Sequence, residues 1–172
     1  DALEAMVRGR GLSVRRRSRS SQPEDAQGAR LQVIILDSRG ELASVYQEAT
    51  VAFVGGTLVP IGGHNLLEPA LWAKPVLFGP YTDHCVEIAN LLVQADGGRR
   101  VSTVEELTTQ LLWLFAHHQE RVRMGQAAQS MLQQNRGALQ ATIDAIDRQL
   151  ASVGAGRFAP CSPGSFPLVA GR

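Results

Sequence analysis

Between Gly55 and Pro69 the chain reads Gly-Gly-Thr-Leu-Val-Pro-Ile-Gly-Gly-His-Asn-Leu-Leu-Glu-Pro. The two glycine pairs leave backbone N–H groups uncovered by side chains, so this segment can turn sharply and approach another group closely. Proline is tolerated in a helix only in the first turn, where its missing N–H is no loss. Pro69 therefore fixes a helix start within about four residues upstream. That places Gly62, Gly63, His64 and Asn65 at the mouth of the helix, where free amides and a partial positive charge suit an anion.

The flanking segments read as alternating strands and helices. Leu31–Leu36, with Val33, Ile34 and Ile35, is a continuous apolar run, the pattern of a strand covered on both faces. Asp37-Ser38-Arg39-Gly40 then leads into a helix over 41–49, with Leu42, Val45 and Tyr46 on one face. Strands are expected at 51–54, 75–78 and near Val101, and helices at 66–73 and 86–95. Thr103 and Glu106 form a capping box that opens a helix carrying Leu107, Leu111, Leu114 and Phe115. Further helices are expected over 120–134 and, beyond Gly137, over 139–150, and a short one before Gly11 carries Leu3, Met6 and Val7. Strands alternating with helices predict a Rossmann-like α/β fold, a parallel sheet with helices on both faces. Ligands in such sheets sit outside the carboxyl ends of the strands, where Asp37–Glu41 and the glycine-rich loop both emerge.

At 172 residues the chain is long enough for one domain, expected over 1–150, followed by a disordered Gly-, Pro- and Ser-rich tail over 151–172. The stretch 15–28, rich in Arg and Ser, reads as an exposed basic loop. A net charge of +1 gives no general attraction to nucleic acid or membrane. No aromatic residue is interleaved with Arg15, Arg16, Arg17 and Arg19, which argues against stacking of single-stranded nucleic acid. Cys85 and Cys161 lie far apart without further ligands at metal spacing, so neither a metal site nor a disulfide framework is indicated, and a reducing, cytosolic setting fits. No apolar run is long enough to span a membrane, and a chain that begins at Asp1 is expected to be a fragment.

Several residue groups have bland explanations beside the functional ones. Asn65 followed by Glu68 has capping-box spacing, but a cap accounts for neither the glycine pairs nor His64. A carboxylate at position 68 can also accept hydrogen bonds from both vicinal hydroxyls of a ribose. Asp37–Glu41 is an ordinary turn and helix start, in which Gly40 would let a planar base approach the backbone. The arginine run is a solvated loop unless Arg17 meets a phosphate. His117 and His118 fall at a helix end with no acid placed to orient either as a base.

Gly40-Glu41-Leu42, Ala52–Val59, Gly62–Ala70, Lys74–Pro80 and Gln134–Leu139 together resemble the C-terminal half of the 3-deoxy-D-manno-octulosonic acid (Kdo) transferases, with Gly11-Leu12-Ser13 and Arg17-Ser18 extending the likeness. The resemblance covers about residues 1–150. It implies a GT-B glycosyltransferase, in which this half holds the donor CMP-Kdo and an N-terminal half holds lipid A precursor and the catalytic base. It implies nucleotide contacts at Arg39, Gly40, Glu41, Asn65, Leu66, Leu67 and Glu68. Gly62, Gly63, His64 and Arg17 are candidate phosphate contacts. No catalytic residue, metal or cofactor is expected in this chain, and the full enzyme is expected at the cytoplasmic face of the bacterial inner membrane. The chain departs from the family pattern at Arg39, at Leu66 in place of a proline, and over Tyr81–Cys85. A non-catalytic nucleotide-binding module is the alternative.

Overall fold

Residues 2–19 and 32–153 are described by the computed structural model, with 136–153 as helix backbone only. The elements in order are α1 (Ala2–Gly9), β1 (Val14–Arg16), a 3-10 turn (Arg17–Arg19), β2 (Val33–Ile35), α2 (Leu42–Glu48), β3 (Ala52–Val54), α3 (Leu67–Leu71), β4 (Val76–Phe78), α4 (Val86–Gln94), β5 (Gly98–Arg100), α5 (Val104–Ala116) and α6 (His118–Val153). The alternation and the parallel pairing agree with the sequence. The described strands form two parallel sheets, β1–β2 and β3–β4–β5.

The β4 strand at the middle of the larger sheet is buried at all three positions. Successive side chains of a strand point to opposite faces, and both faces here are covered by helices. Val76 and Phe78 pack with Leu66 and Ala70 of the α3 region, Ala89 and Leu92 of α4, and Ala128 and Met131 of α6. Leu77 packs on the other side with Leu114 of α5 and Met124 of α6. Burying an aliphatic or aromatic side chain of this size stabilises a fold by about 1.5–3 kcal/mol, so this sheet carries most of the described core. Two contacts allow no extra atom. The Ala73 carbonyl lies against the backbone of Gly125 in α6, and Gly98 sits under the Phe78 ring, where an added Cβ would stand 2.9 Å away.

The smaller sheet is different. β1 occupies what the sequence presents as the start of an exposed basic loop over 15–28. Strand pairing explains the correction, because Val14, Arg15 and Arg16 lie in register with Val33, Ile34 and Ile35. Residues 20–28 of that loop lie outside the described residues. Nor is β2 covered on both faces, since Ile34 is 63% exposed, and Leu42 and Val45 of α2 are also open.

Two boundaries differ from the sequence reading. The fifth strand begins at Gly98 rather than near Val101, because the glycine there fits beneath Phe78 and Leu92. α6 starts at His118 and runs unbroken through Gly137 to Val153, since one glycine weakens a helix interior by only about 1 kcal/mol. The chain divides into units Asp1–Gln133 and Gln134–Arg172, so the unit boundary falls within the span read as one domain over 1–150. Ala151–Val153 of the expected tail are helical, and the rest of the tail lies outside the described residues. The Thr103 cap forms as expected: Glu106 N donates to Thr103 Oγ1 at 3.2 Å, and Glu106 Oε2 accepts from Ser102 N at 2.6 Å.

Candidate functional site

The glycine-rich loop leaves β3 and closes on itself, with Gly63 N donating to Gly56 O at 3.0 Å. Thr57, fully buried, fastens the loop base to the next strand. Its hydroxyl donates to Val54 O at 2.6 Å and accepts from Gly79 N at 2.7 Å. Two of the turn glycines, Gly56 and Gly62, have an imidazole lying against them. At Gly56, φ +72°, an added Cβ would come within 3.4 Å of the His64 ring, and at Gly62, φ +96°, within 2.5 Å of the His84 ring. These backbone angles strain any residue with a side chain, and the rings fill the space a side chain would need.

The loop after β4 is stitched onto this turn. Tyr81 N donates to Thr57 O at 3.0 Å, His84 N to Gly62 O at 3.3 Å, and the Cys85 thiol to His64 O at 3.8 Å. Burial, reinforced by the Asp83 carboxylate, holds the Cys85 thiol above its usual pKa and so in its neutral form. Between the two loops lies a hollow of about 390 Å³, lined by Gly63, His64, Asn65, Leu66, Leu67, His84, Cys85 and Ile88.

At the start of α3, Asn65 both caps and connects. Its Oδ1 accepts from Leu67 N at 3.0 Å, while its Nδ2 donates to Glu68 Oε1 at 3.2 Å. Pro69 is the third residue of α3, within the first turn. With only Leu67–Leu71 helical, α3 supplies little macrodipole, and any anion here would rely on amides and side chains instead. Leu66 is completely buried, so its side chain belongs to the core and only its backbone is available to a ligand.

The second loop is held by a separate polar network. Arg16 bridges two acids, with Nε 3.2 Å from Glu4 Oε2 and Nη1 3.0 Å from Asp37 Oδ2. Asp37 also accepts from Ser18 N at 2.9 Å and from Ser18 Oγ at 2.7 Å. The two bonds from Ser18, supplemented by Arg16, lower the Asp37 pKa to about 2. Glu41 accepts from Ser38 Oγ and pairs with Arg17 at 3.3 Å. Gly40 stands open, with nothing within 4 Å of where a Cβ would be, and Arg39 is exposed.

Arg17 and Glu41 line a different hollow of about 330 Å³, with Ile34, Leu36, Ser44 and Val45. The two predicted loops thus open into two hollows that share no lining residue. Helices α2 and α3 pack together, and burial together with the Glu68 carboxylate pushes the Tyr46 phenol above its usual pKa. Tyr46 and His84 are the neighbours that residue order does not single out. Tyr46 reads as one more core position, and His84 joins the glycine turn only through tertiary folding.

No protein-family model matches the chain. A 3-deoxy-D-manno-octulosonic acid transferase of Haemophilus influenzae is 40% identical over 132 residues, which is 76% of this chain and 30% of that protein. The Aquifex aeolicus protein of the same name is 42% identical over 88 residues, 51% of this chain and 25% of its own length. Among solved structures, the C-terminal CMP-Kdo binding domain of WaaA from Acinetobacter baumannii aligns with a TM-score of 0.69 at 28% identity, covering 77% of this chain and 67% of that one. The chain belongs with the C-terminal half of the Kdo transferases. It spans about a third or less of the curated Kdo transferases it matches. Among the described residues no helix is long and apolar enough to cross a membrane.

Proposed function

We propose that this chain binds CMP-Kdo and serves as the donor half of a transferase that moves Kdo from CMP to lipid A precursor, with inversion at the anomeric carbon. The observation that carries this reading is the hollow between the glycine turn and the Tyr81–Cys85 loop. It gathers His64, Asn65 and the start of α3 at the carboxyl end of β3. In this reading Gly62, Gly63 and His64 receive the phosphate, Glu68 exchanges Asn65 for the ribose hydroxyls, and the Arg39–Gly40–Glu41 backbone takes the cytosine. Leu66 and Leu67 contribute backbone contacts. Arg17, paired with Glu41, steadies that loop and reaches the phosphate only if it leaves the pair.

Donors aimed at the departing phosphate act most strongly as its charge grows, and they lower the barrier for that reason. In this reading the donor carries its own leaving group, and no metal or cofactor is assigned a part. The base and the acceptor are supplied, in the same reading, by the N-terminal half of the full enzyme, at the cytoplasmic face of the inner membrane, and the residues of this half bind the donor.

Calorimetric titration with CMP, UDP and ADP tests the reading. Binding of CMP at least about tenfold tighter than of the other two, a gap of about 1.4 kcal/mol, is expected. Equal affinity for the three would replace the reading with a non-catalytic nucleotide-binding module, which the exchanged Tyr81–Cys85 loop favours. Glu68→Ala is expected to weaken CMP, and unchanged affinity would remove Glu68 from the site.

A further inference from the structure

His84 enters the hollow from a loop to which neither the glycine motif nor the helix start assigns a role. Its ring lies on Gly62, with Cε1, Nδ1 and Nε2 all 2.5–2.9 Å from an added Cβ. A plain packing role would explain that contact alone. Two further facts go beyond packing: the ring is exposed, and it lines the same 390 Å³ hollow as His64. Two imidazoles therefore bracket one turn, His64 against Gly56 and His84 against Gly62, with Gly63 N bonded to Gly56 O between them.

A neutral imidazole donates one N–H and an imidazolium donates two, and each serves an anionic oxygen. Three bonds fix the geometry of the bracket, from Tyr81 N, His84 N and the Cys85 thiol to the glycine loop, so little ordering would be left to a ligand. The ring also lines an adjoining hollow with Asp83 and Glu87, where their charge repels an anion. The side shared with His64 is the one that suits it.

We infer that His84 is a second imidazole contact to the phosphate of the bound ligand, paired with His64 across the glycine turn. The inference rests on the nucleotide-sugar reading above and adds a specificity residue to it. It requires His84 to act on the charged part of the ligand and to leave the nucleoside part unaffected.

The test compares His84→Phe, which keeps a ring over Gly62 but has no N–H, and His84→Gln, which keeps a donor without the ring. CMP, cytidine and inorganic phosphate are titrated into each full-length chain. Loss of one hydrogen bond to a charged group predicts CMP affinity down about tenfold in His84→Phe, with a smaller loss in His84→Gln and cytidine affinity unchanged in both. CMP affinity within about twofold of wild type in His84→Phe would overturn the inference, as would a parallel loss of CMP and cytidine, which marks a packing role. If wild type binds phosphate through His84 but does not bind CMP, the inference stands and the nucleotide reading falls. Wild type that binds neither overturns both.

Discussion

The two parallel sheets of this chain are held by different forces. Around β3–β4–β5, Val76, Leu77 and Phe78 are completely buried and helices cover both faces. Around β1–β2, Ile34, Leu42 and Val45 are open, and the polar lattice of Glu4, Arg16, Ser18 and Asp37 joins α1, β1 and the β2 loop. The first region resists volume change because close-packed interiors cannot absorb it. The second depends on charge and directed hydrogen bonds. The two site loops are split between them: the glycine-rich loop is fastened to the packed sheet through Thr57, and Asp37–Glu41 hangs from the polar lattice. Rigidity of the glycine-rich loop and adjustability of the Asp37–Glu41 loop follow from that division.

The largest expected effect comes from opening the packed sheet. Phe78→Ala removes a buried ring that also covers Gly98, and a loss of about 3–5 kcal/mol in unfolding free energy is expected from denaturant titration. A loss below about 1 kcal/mol would erase the contrast between the sheets. Thr57→Val comes next. It keeps the volume but leaves Gly79 N without its acceptor, and about 1–3 kcal/mol is expected from equilibrium unfolding. Ile34→Ala is expected to change the unfolding free energy by less than about 1 kcal/mol, because 63% of the residue is already exposed.

The acid response sharpens the comparison from the other side. The Asp37 pKa is lowered to about 2 from 3.8, so its stabilising contribution is complete above pH 3.8 and is lost as pH falls toward 2. Asp37→Asn is expected to make unfolding less sensitive to pH in that window while leaving the slope above pH 5 unchanged. Circular dichroism followed across the acid range would check it, and an identical acid profile in the variant would contradict the lattice.

Much of the packed sheet is legible in the sequence, because its signals are local. Val51–Val54 and Pro75–Phe78 are short apolar runs bounded by glycine or proline, and the Thr103 cap announces its helix. β1 is not legible. Val14-Arg15-Arg16 has no apolar run and becomes a strand only by pairing with Val33–Ile35, with Arg16 tied to two acids that are distant in sequence. The continuity of α6 escapes for a different reason, since Gly137 carries only a modest helix penalty that its neighbours outweigh. Of the candidate site, the glycine turn and the Asn65–Glu68 helix start are readable from spacing. The contact of His84 with Gly62 is not, because it depends on how the loop after β4 folds back, and no periodicity records that.

The central claim, that a cytidine nucleotide is held with its phosphate in the hollow formed by the glycine turn and the Tyr81–Cys85 loop, is tested most directly by a crystal structure of this chain grown with CMP. The account predicts the phosphate beside Gly62–His64 and the ribose hydroxyls on Glu68, drawn away from Asn65. CMP bound elsewhere, with Asn65 and Glu68 still joined, would contradict it.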